Sequence, residues 1–430
     1  MSYSIKSNIR VINTDPELKD NCFRILDNSS GKKFDLNNSS YQLIKFINES
    51  DADYTAIPRL INEKFNLPES ATIAFINYLT MQGILYVSET KIYNQNILLP
   101  YTTYNPLRRV SLEVTERCNL RCIHCYGNFG HSLKRILSYK EIEDLACDLD
   151  ILNSYQLALT GGEFFLHPDY DAIFNFFKNK GYELTVFTNG FYTDRIIEFA
   201  QKHQDFMVKY RISVDGFSDT HNKIRQNNLS YQNAINTIVK LKQFANADVV
   251  ASMAINKLNY LELNDLIEFM QNQYGVKLSY DLAFPTQFNQ ANKDWLFGLD
   301  EFDNLKHILP MIFTLDRYIK EKPRGTFRCI GGREGAAITA DKKMKICTGA
   351  MDDIYYFGDI NESSVVNLWE NPPPPIAFYR REKLKDIEKC NSCSLQSKCN
   401  FTNCRVQAGV WTGNPKNPNP ILCYRIKGNI

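Results

Sequence analysis

Ten of the twelve cysteines fall into two groups, and that distribution limits what the chain can fold into more than any other feature. Cys118, Cys122 and Cys125 share the stretch TERCNLRCIHCYG (115–127), while Cys329, Cys347, Cys390, Cys393, Cys399, Cys404 and Cys423 all follow residue 325. The first thirty residues mix Lys, Asp, Asn and Ser without an apolar signal-peptide core, which predicts a cytoplasmic protein whose thiols stay reduced. Reduced cysteines at this density read as metal ligands or redox groups, not as disulfides. Cys22 and Cys147 stand apart and read as small buried apolar residues.

Composition excludes several classes. With 430 residues, 44% apolar and 23% charged, the chain has material for two or three domains with sizeable cores and is neither disordered nor collagen-like. Fifty basic residues against forty-eight acidic ones leave a charge of +2, so nucleic acid and anionic membrane are not expected partners. No apolar run approaches the roughly 20 residues that span a bilayer.

Residues 1–92 read as a module of their own. SIKSNIRVI, FRIL and FDL suggest short strands with a hairpin at NSSGKK. Three short helices follow. The first begins after Ser39 or Ser40 and carries Tyr41, Ile44 and Ile47; the second has Pro58 near its start with Ile57, Leu60 and Ile61 on one face. The third starts near Pro68, buries Ile73, Ile76 and Leu79, and stops at Gly83 before the strand ILYV. This order predicts a winged helix-turn-helix. Residues 1–100 hold ten Lys/Arg and eleven Asp/Glu, net −1, so the basic stripe of a phosphate-reading surface is missing.

Between 105 and 285 six strand-like runs, RVSLEV, QLALT, ELTVFT, VKYRISV, VVASMAI and KLSYDLA, alternate with helical ones and predict parallel βαβ units. Ser138 and Glu141 form a capping box ahead of Ile142, Leu145, Ala146 and Leu149. In such folds ligands sit at the carboxyl ends of the strands. Residues 286–324 read as a helical bridge to the cysteine-rich segment 325–430, in which the prolines at 372–375 form a stiff spacer.

The loop after the first strand spaces its thiolates as CxxxCxxC. Three thiolates can hold three irons of a 4Fe-4S cluster and leave the fourth open as a binding site. The competing reading is a zinc knot closed by His124. After the second strand, Gly161 and Gly162 permit close backbone approach to a ligand and Glu163 offers an acceptor for an ammonium group, although a Gly-Gly turn also serves as a plain strand exit. Thr188-Asn189-Gly190 follows the third strand, and Ser213 and Asp215 flank Val214 after the fourth.

The motif at this place in a β/α array resembles the radical S-adenosylmethionine (SAM) superfamily. The resemblance implies an α/β fold built on a partial (β/α)6 TIM-like barrel, in which the open iron chelates SAM and the reduced cluster cleaves it to methionine and a 5′-deoxyadenosyl radical. It assigns Cys118, Cys122 and Cys125 to the cluster and catalysis, puts His124 against the adenine, and matches Gly161, Gly162 and Glu163 to the family's GGE motif for the SAM amino group. Asn189, Ser213 and Asp215 then fall where the ribose and methionine carboxylate are held. Arg225 resembles a recurrent arginine near SAM, against the alternative of a solvated helix residue.

The seven later cysteines resemble the SPASM extension of peptide-modifying radical SAM enzymes, with paired zinc ribbons as the alternative. The resemblance implies two auxiliary 4Fe-4S clusters, one on Cys390, Cys393, Cys399 and Cys423, the other on Cys329, Cys347 and Cys404 with one iron lacking a cysteine. Two departures stand out: Lys342 replaces the family's usual glycine five residues before the second cysteine, and four residues, in place of three, separate Cys399 from Cys404.

Residues 1–92 resemble the leader-peptide recognition elements of ribosomal-peptide maturases, which bind a leader as an added strand. Together the resemblances imply a maturase with three clusters and SAM that receives electrons from a donor such as flavodoxin or ferredoxin and makes a thioether in a ribosomal precursor peptide. Carbon-carbon cross-linking, oxidative decarboxylation and sulfatase-type side-chain maturation use similar parts. An iron-sulfur or zinc regulator on DNA is the reading from outside catalysis.

Overall fold

The computed structural model describes residues 1–13, 23–97, 106–130, 135–283, 286, 294–298, 301, 329–394, 404–420 and 423. Cys22, Cys399 and, apart from residues 286, 294–298 and 301, the expected 286–324 bridge lie outside the described residues.

The amino-terminal part has its own core. β1 (Ser2–Ile5) pairs antiparallel with β5 (Leu85–Ser88), and β2 (Ile9–Asn13), β3 (Phe23–Asp27) and β4 (Lys33–Leu36) form an antiparallel sheet. Between β4 and β5 run α1 (Asn38–Glu49), α2 (Ile57–Phe65) and α3 (Glu69–Met81). Helix α1 starts earlier than its sequence suggested because Asn37 caps it, its side chain accepting from the Ser40 amide at 2.8 Å. Ile5, Ile9, Val11, Ile44, Ile61 and Leu79 are buried together. Ile73 belongs outside that core. It is 45% exposed and shares the outer face of α3 with Tyr78 and Met81.

β6 (Arg109–Thr115), β7 (Gln156–Gly161), β8 (Glu183–Thr188), β9 (Val208–Ser213), β10 (Ala247–Ile255) and β11 (Lys277–Leu282) are parallel and neighbour one another in chain order. The intervening helices are α4 (Tyr139–Ile151), α5 (Tyr170–Asn179), α6 (Thr193–Lys202), α7 (Ser218–Arg225), α8 (Ser230–Leu241) and α9 (Leu263–Tyr274). Helix α4 begins with the expected capping box, both bonds being present between Ser138 and Glu141. Strand residues such as Leu112, Leu159, Val186 and Ile212 and helix residues such as Ile142, Phe174 and Phe199 share one buried core, as a parallel sheet covered by helices requires. Strands added in one direction, each crossed over by helix, give the partial barrel.

The sheet does not end at β6. Parallel to it lies β12 (Gly335–Ile338), followed by antiparallel β13 (Lys343–Lys345) and β14 (Tyr356–Asp359), so the carboxyl-terminal part continues the barrel's sheet. The turn from β12 to β13 puts Lys342 at φ 66, the left-handed region that glycine enters most easily, which accounts for the glycine usual there in the family. Pro374 and Pro375 open the helix Pro374–Arg381, so half of the proline run is helix start, not spacer. Cys147 is exposed on α4, contrary to its expected burial, because it lies off the face carrying Ile142, Leu145 and Leu149.

The amino-terminal module docks on the end of the barrel where strands begin. Arg10, 1% exposed, donates to the Ser154 carbonyl at 2.6 Å and the Lys180 carbonyl at 3.0 Å, and its guanidinium lies 4.4 Å from the Tyr182 ring centre. Asn28 donates to the Gly181 carbonyl at 2.5 Å and Lys33 pairs with Glu183 at 2.7 Å. Among the described residues no helix is long and apolar enough to cross a membrane.

Candidate functional site

The cysteine loop leaves the carboxyl end of β6 and folds back over the exits of β7, β8 and β9. Gly162 N donates to the Thr115 carbonyl and Glu163 N to the Arg117 carbonyl, both at 2.8 Å. A Cβ on Gly161, whose φ is 129, would sit 2.2 Å from the Thr115 carbonyl oxygen, and one on Gly162 would sit 2.4 Å from that of Arg117. The close approach expected of these glycines is therefore made by the chain's own backbone. They let the cysteine loop lie against the β7 exit.

Each sulfur in the loop meets an N–H donor. The Leu120 amide points at Cys118 Sγ (3.5 Å), the Phe129 amide at Cys125 Sγ (3.3 Å), and Arg225 Nη1 at Cys122 Sγ (3.6 Å). Burial pushes the Cys118 thiol up to about 12 and the Cys125 thiol to about 11, and it raises Cys122 as well. Sulfurs with donors aimed at them are arranged for negative charge, yet burial opposes that charge. Iron supplies the missing positive charge, so the donor set fits a 4Fe-4S cluster. Among the described residues no three His, Cys, Asp or Glu side chains close on a single metal ion, and a cubane, which spreads its sulfurs over separate irons, requires no such closure.

His124 faces Asp215 and Trp295. Its Nε2 is 3.7 Å from Asp215 Oδ2, its Nδ1 is buried without a hydrogen-bond partner, and its ring meets Trp295 edge to face with centres 6.3 Å apart. Burial lowers its pKa to about 4, so the imidazole is neutral. A neutral, planar ring with an unpartnered nitrogen can lie against or hydrogen-bond a flat heterocycle.

Glu163 is 1% exposed and accepts three hydrogen bonds, from the Thr188 hydroxyl (2.8 Å), the Asn189 amide (2.8 Å) and the Phe165 amide (3.2 Å). Burial raises it to about 7 against these donors. A carboxylate offers about four acceptor positions, which leaves room for one further donor such as an ammonium. Asn189 braces the same place: its Nδ2 donates to Asn119 Oδ1 at 2.9 Å and its Oδ1 accepts from the Phe191 amide at 2.9 Å.

Arg225 is not a solvated helix residue. At the carboxyl end of α7 it is 9% exposed, and its Nε donates to Asp215 Oδ2 at 2.6 Å while Nη1 reaches Cys122. Asp215 is fully buried and also accepts from the Ala254 amide at 2.9 Å. Burial alone would raise its pKa, but Arg225 beside it holds it down to about 2. Ser213, the last residue of β9, stands opposite Ser252 of β10. Sequence reasoning did not foresee that Asp215 and Arg225 bind each other, because an ion pair ten residues apart across a loop and a helix leaves no spacing signal.

The second cysteine group is partly assembled. Cys329 precedes β12, Cys347 follows β13, and Cys404 caps the helix Arg405–Thr412, its Sγ accepting from the Gln407 amide at 3.5 Å. A Cβ on Gly331 would lie 3.4 Å from Cys329 Sγ and 3.7 Å from Cys347 Cβ. Burial first, and then the mutual proximity of these cysteines, pushes Cys347 to about 11 and Cys404 to about 12. Cys390 lies on the helix Glu388–Asn391, Cys393 is exposed just beyond it, and the Cys423 amide donates to the Asn419 carbonyl.

Between the barrel rim and the carboxyl-terminal part lies a cavity of about 640 Å³. Leu296, Phe297, Met351, Tyr355, Val406 and Trp411 give it an apolar lining, with the ion pair Lys257–Glu301 (2.7 Å) on its wall. The GGE residues do not line it. It reaches the first cysteine loop through Thr286, whose hydroxyl donates to the Tyr126 carbonyl at 3.4 Å, and the second group through Gly349 and Val406.

Comparison with known proteins agrees with this geometry. Residues 112–270 match the radical SAM superfamily and residues 329–394 match the SPASM iron-sulfur cluster-binding domain. The sporulation killing factor maturation protein SkfB of Bacillus subtilis is 29% identical over 163 residues, a match spanning 38% of this chain and 39% of that protein. The antilisterial bacteriocin subtilosin biosynthesis protein AlbA of Bacillus subtilis is 23% identical over 66% of this chain and 67% of its own length. The structure of Streptococcus suis SuiB bound to precursor peptide SuiA shares the fold with a TM-score of 0.65 at 12% identity, covering 98% of this chain and 99% of that one.

Proposed function

We propose that this chain, which belongs to the radical SAM superfamily and carries a SPASM iron-sulfur domain, matures a ribosomally made precursor peptide by joining a cysteine sulfur to a peptide carbon as a thioether. The observation that carries this reading is the cavity of about 640 Å³ that is lined by Gly349 and Val406, near Cys347 and Cys404, and by Thr286, which hydrogen-bonds Tyr126 of the first cysteine loop. That SkfB and AlbA are named for maturing and making peptides, and that SuiB was solved with a precursor peptide, supports the substrate class.

In this reading the chain holds three 4Fe-4S clusters, on Cys118, Cys122 and Cys125, on Cys329, Cys347 and Cys404, and on Cys390, Cys393, Cys399 and Cys423. With SAM bound, the cluster that Cys118, Cys122 and Cys125 would hold would supply a 5′-deoxyadenosyl radical to take a hydrogen atom from a peptide carbon; forming the C–S bond would then release the thiol proton and one electron, which an auxiliary cluster would accept. The residues around the first cluster bind and orient: Glu163 presents its remaining acceptor position to the SAM ammonium, Asn189 fixes the adjoining loop, His124 offers its neutral ring to the adenine, and Ser213, Asp215 and Arg225 set the floor of the site. Leu296, Phe297, Val406 and Trp411 would set apolar side chains around a carbon radical held there.

The leader would dock on residues 1–92. β4 is an edge strand of its sheet, Tyr78 of α3 meets Phe34 of β4 edge-on at 6.5 Å, and Ile73 and Met81 are exposed on the same helix. An extended peptide added there finds backbone partners on one side and an apolar wall on the other. A cytoplasmic location and a flavodoxin or ferredoxin donor complete the proposal. The test is anaerobic reconstitution with SAM, reductant and cysteine-containing precursors, followed by mass spectrometry. Loss of two hydrogens together with 5′-deoxyadenosine is the expected result. Peptide of unchanged mass across precursors whose leaders bind would refute the thioether.

A further inference from the structure

One buried carboxylate has no part in the chemistry above. Glu113 lies on β6 ahead of the cysteine loop and is 3% exposed. Its Oε1 accepts from the Tyr126 hydroxyl at 3.1 Å, and Tyr126 directly follows Cys125. Lys345 interacts with the same carboxylate from β13, is likewise 3% exposed, and stands two residues before Cys347. Because β6, β12 and β13 are consecutive in one sheet, the group Tyr126–Glu113–Lys345 links the loop of the first cysteine group to the strand that leads into the second.

We propose that Glu113 is a positioning residue that couples electron arrival at the flanking cysteine sites to uptake of a proton. This rests on the reading that both groups hold iron-sulfur clusters. The groups facing Glu113 are Lys345 from β13, Tyr126 from the cysteine loop, Asp341 from the turn before β13, Glu116 beyond β6 and Tyr356 from β14. Burial raises its pKa to about 7, opposed by Lys345 and by the Tyr126 hydrogen bond and assisted by Asp341 and Glu116. An added electron nearby disfavours a second negative charge in a low-dielectric interior, so the carboxylate becomes a carboxylic acid. The balance is one electron from a one-electron donor to iron and one proton from solvent to Glu113. No covalent bond changes other than the O–H bond formed.

The test is a redox titration of the full chain, anaerobically reconstituted and followed by electron paramagnetic resonance, at pH values about one unit either side of 7. The wild-type potentials of the first cluster and of the Cys329/Cys347/Cys404 cluster should fall as pH rises through this window, because the ionised carboxylate opposes reduction. Glu113→Gln should lose that slope and stay at the higher potential. Should Glu113→Gln fail to fold, Tyr126→Phe serves in its place: losing the donor raises the carboxyl further, which moves the sloping region to higher pH. An unchanged slope in Glu113→Gln, an unmoved region in Tyr126→Phe, or pH-independent wild-type potentials at full iron content overturns the coupling. Wild-type protein that takes up no iron overturns the cluster reading and the coupling with it.

Discussion

Each cysteine region contains a buried arginine–carboxylate pair, and the two pairs are used differently. Beneath the first group, Arg225 holds Asp215 at 2.6 Å with one nitrogen and reaches Cys122 Sγ with another. Beside the second, Arg405 holds Glu382 at 2.7 Å and spends Nη1 on the carbonyls of Pro415 and Asn417. The first pair serves a sulfur; the second ties chain segments together around Cys404. The difference follows from how each group is assembled. Three cysteines in one loop need only an electrostatic floor, whereas cysteines drawn from three elements need those elements fastened first.

The largest effect should come from replacing Cys118, Cys122 and Cys125 with Ala, which should abolish 5′-deoxyadenosine, while Cys404→Ala should leave SAM cleavage in place and remove the peptide product. Chromatography of the nucleoside and mass spectrometry of the peptide separate the two results, and loss of SAM cleavage in Cys404→Ala would end the division of labour. Next, Arg225→Gln and Arg405→Gln each strand a buried carboxylate, and each should cost about 3–5 kcal/mol in denaturant unfolding of the apoprotein. Only Arg225→Gln should alter the spectrum of the first cluster. Equal spectral changes in both would erase the distinction.

Much of the first region is written in the sequence because its determinants are local. CxxxCxxC occupies a single loop, the capping box marks α4 within four residues, and the six strands carry the apolar runs of a doubly covered sheet. What escaped depends on contacts between distant segments. Arg10, set among the apolar residues of β2, gives no hint that it will reach the carbonyls of Ser154 and Lys180. Gly161 and Gly162 do signal a close approach, but not that the approaching group is the chain's own loop. The outward turn of Ile73 is equally hidden, since α3 is apolar nearly all round and periodicity cannot choose its buried face.

Smaller effects sharpen the same contrast. Glu163 has its pKa raised from 4.5 to about 7 by burial, so the folded apoprotein binds a proton that the unfolded chain has released between those values. Its contribution is therefore present below 4.5 and lost as pH rises through about 7, up to about 3 kcal/mol. Apoprotein stability against pH should show this decline, and Glu163→Gln should flatten it. Smallest of all, Lys342→Gly relieves a left-handed residue but gives up the ion pair with Glu141, for a net gain of about 1 kcal/mol or less. A lower melting temperature in that variant would show that the ion pair outweighs the backbone strain.

In the proposed function the first loop carries a cluster with one iron free for SAM. Electron paramagnetic resonance of a reduced variant in which Cys329, Cys347, Cys390, Cys393, Cys399, Cys404 and Cys423 are all replaced by Ala, recorded before and after SAM is added, isolates that cluster. A cubane signal from the first loop that shifts when SAM binds is the expected result. A signal indifferent to SAM, or zinc in that loop in place of iron, would contradict it.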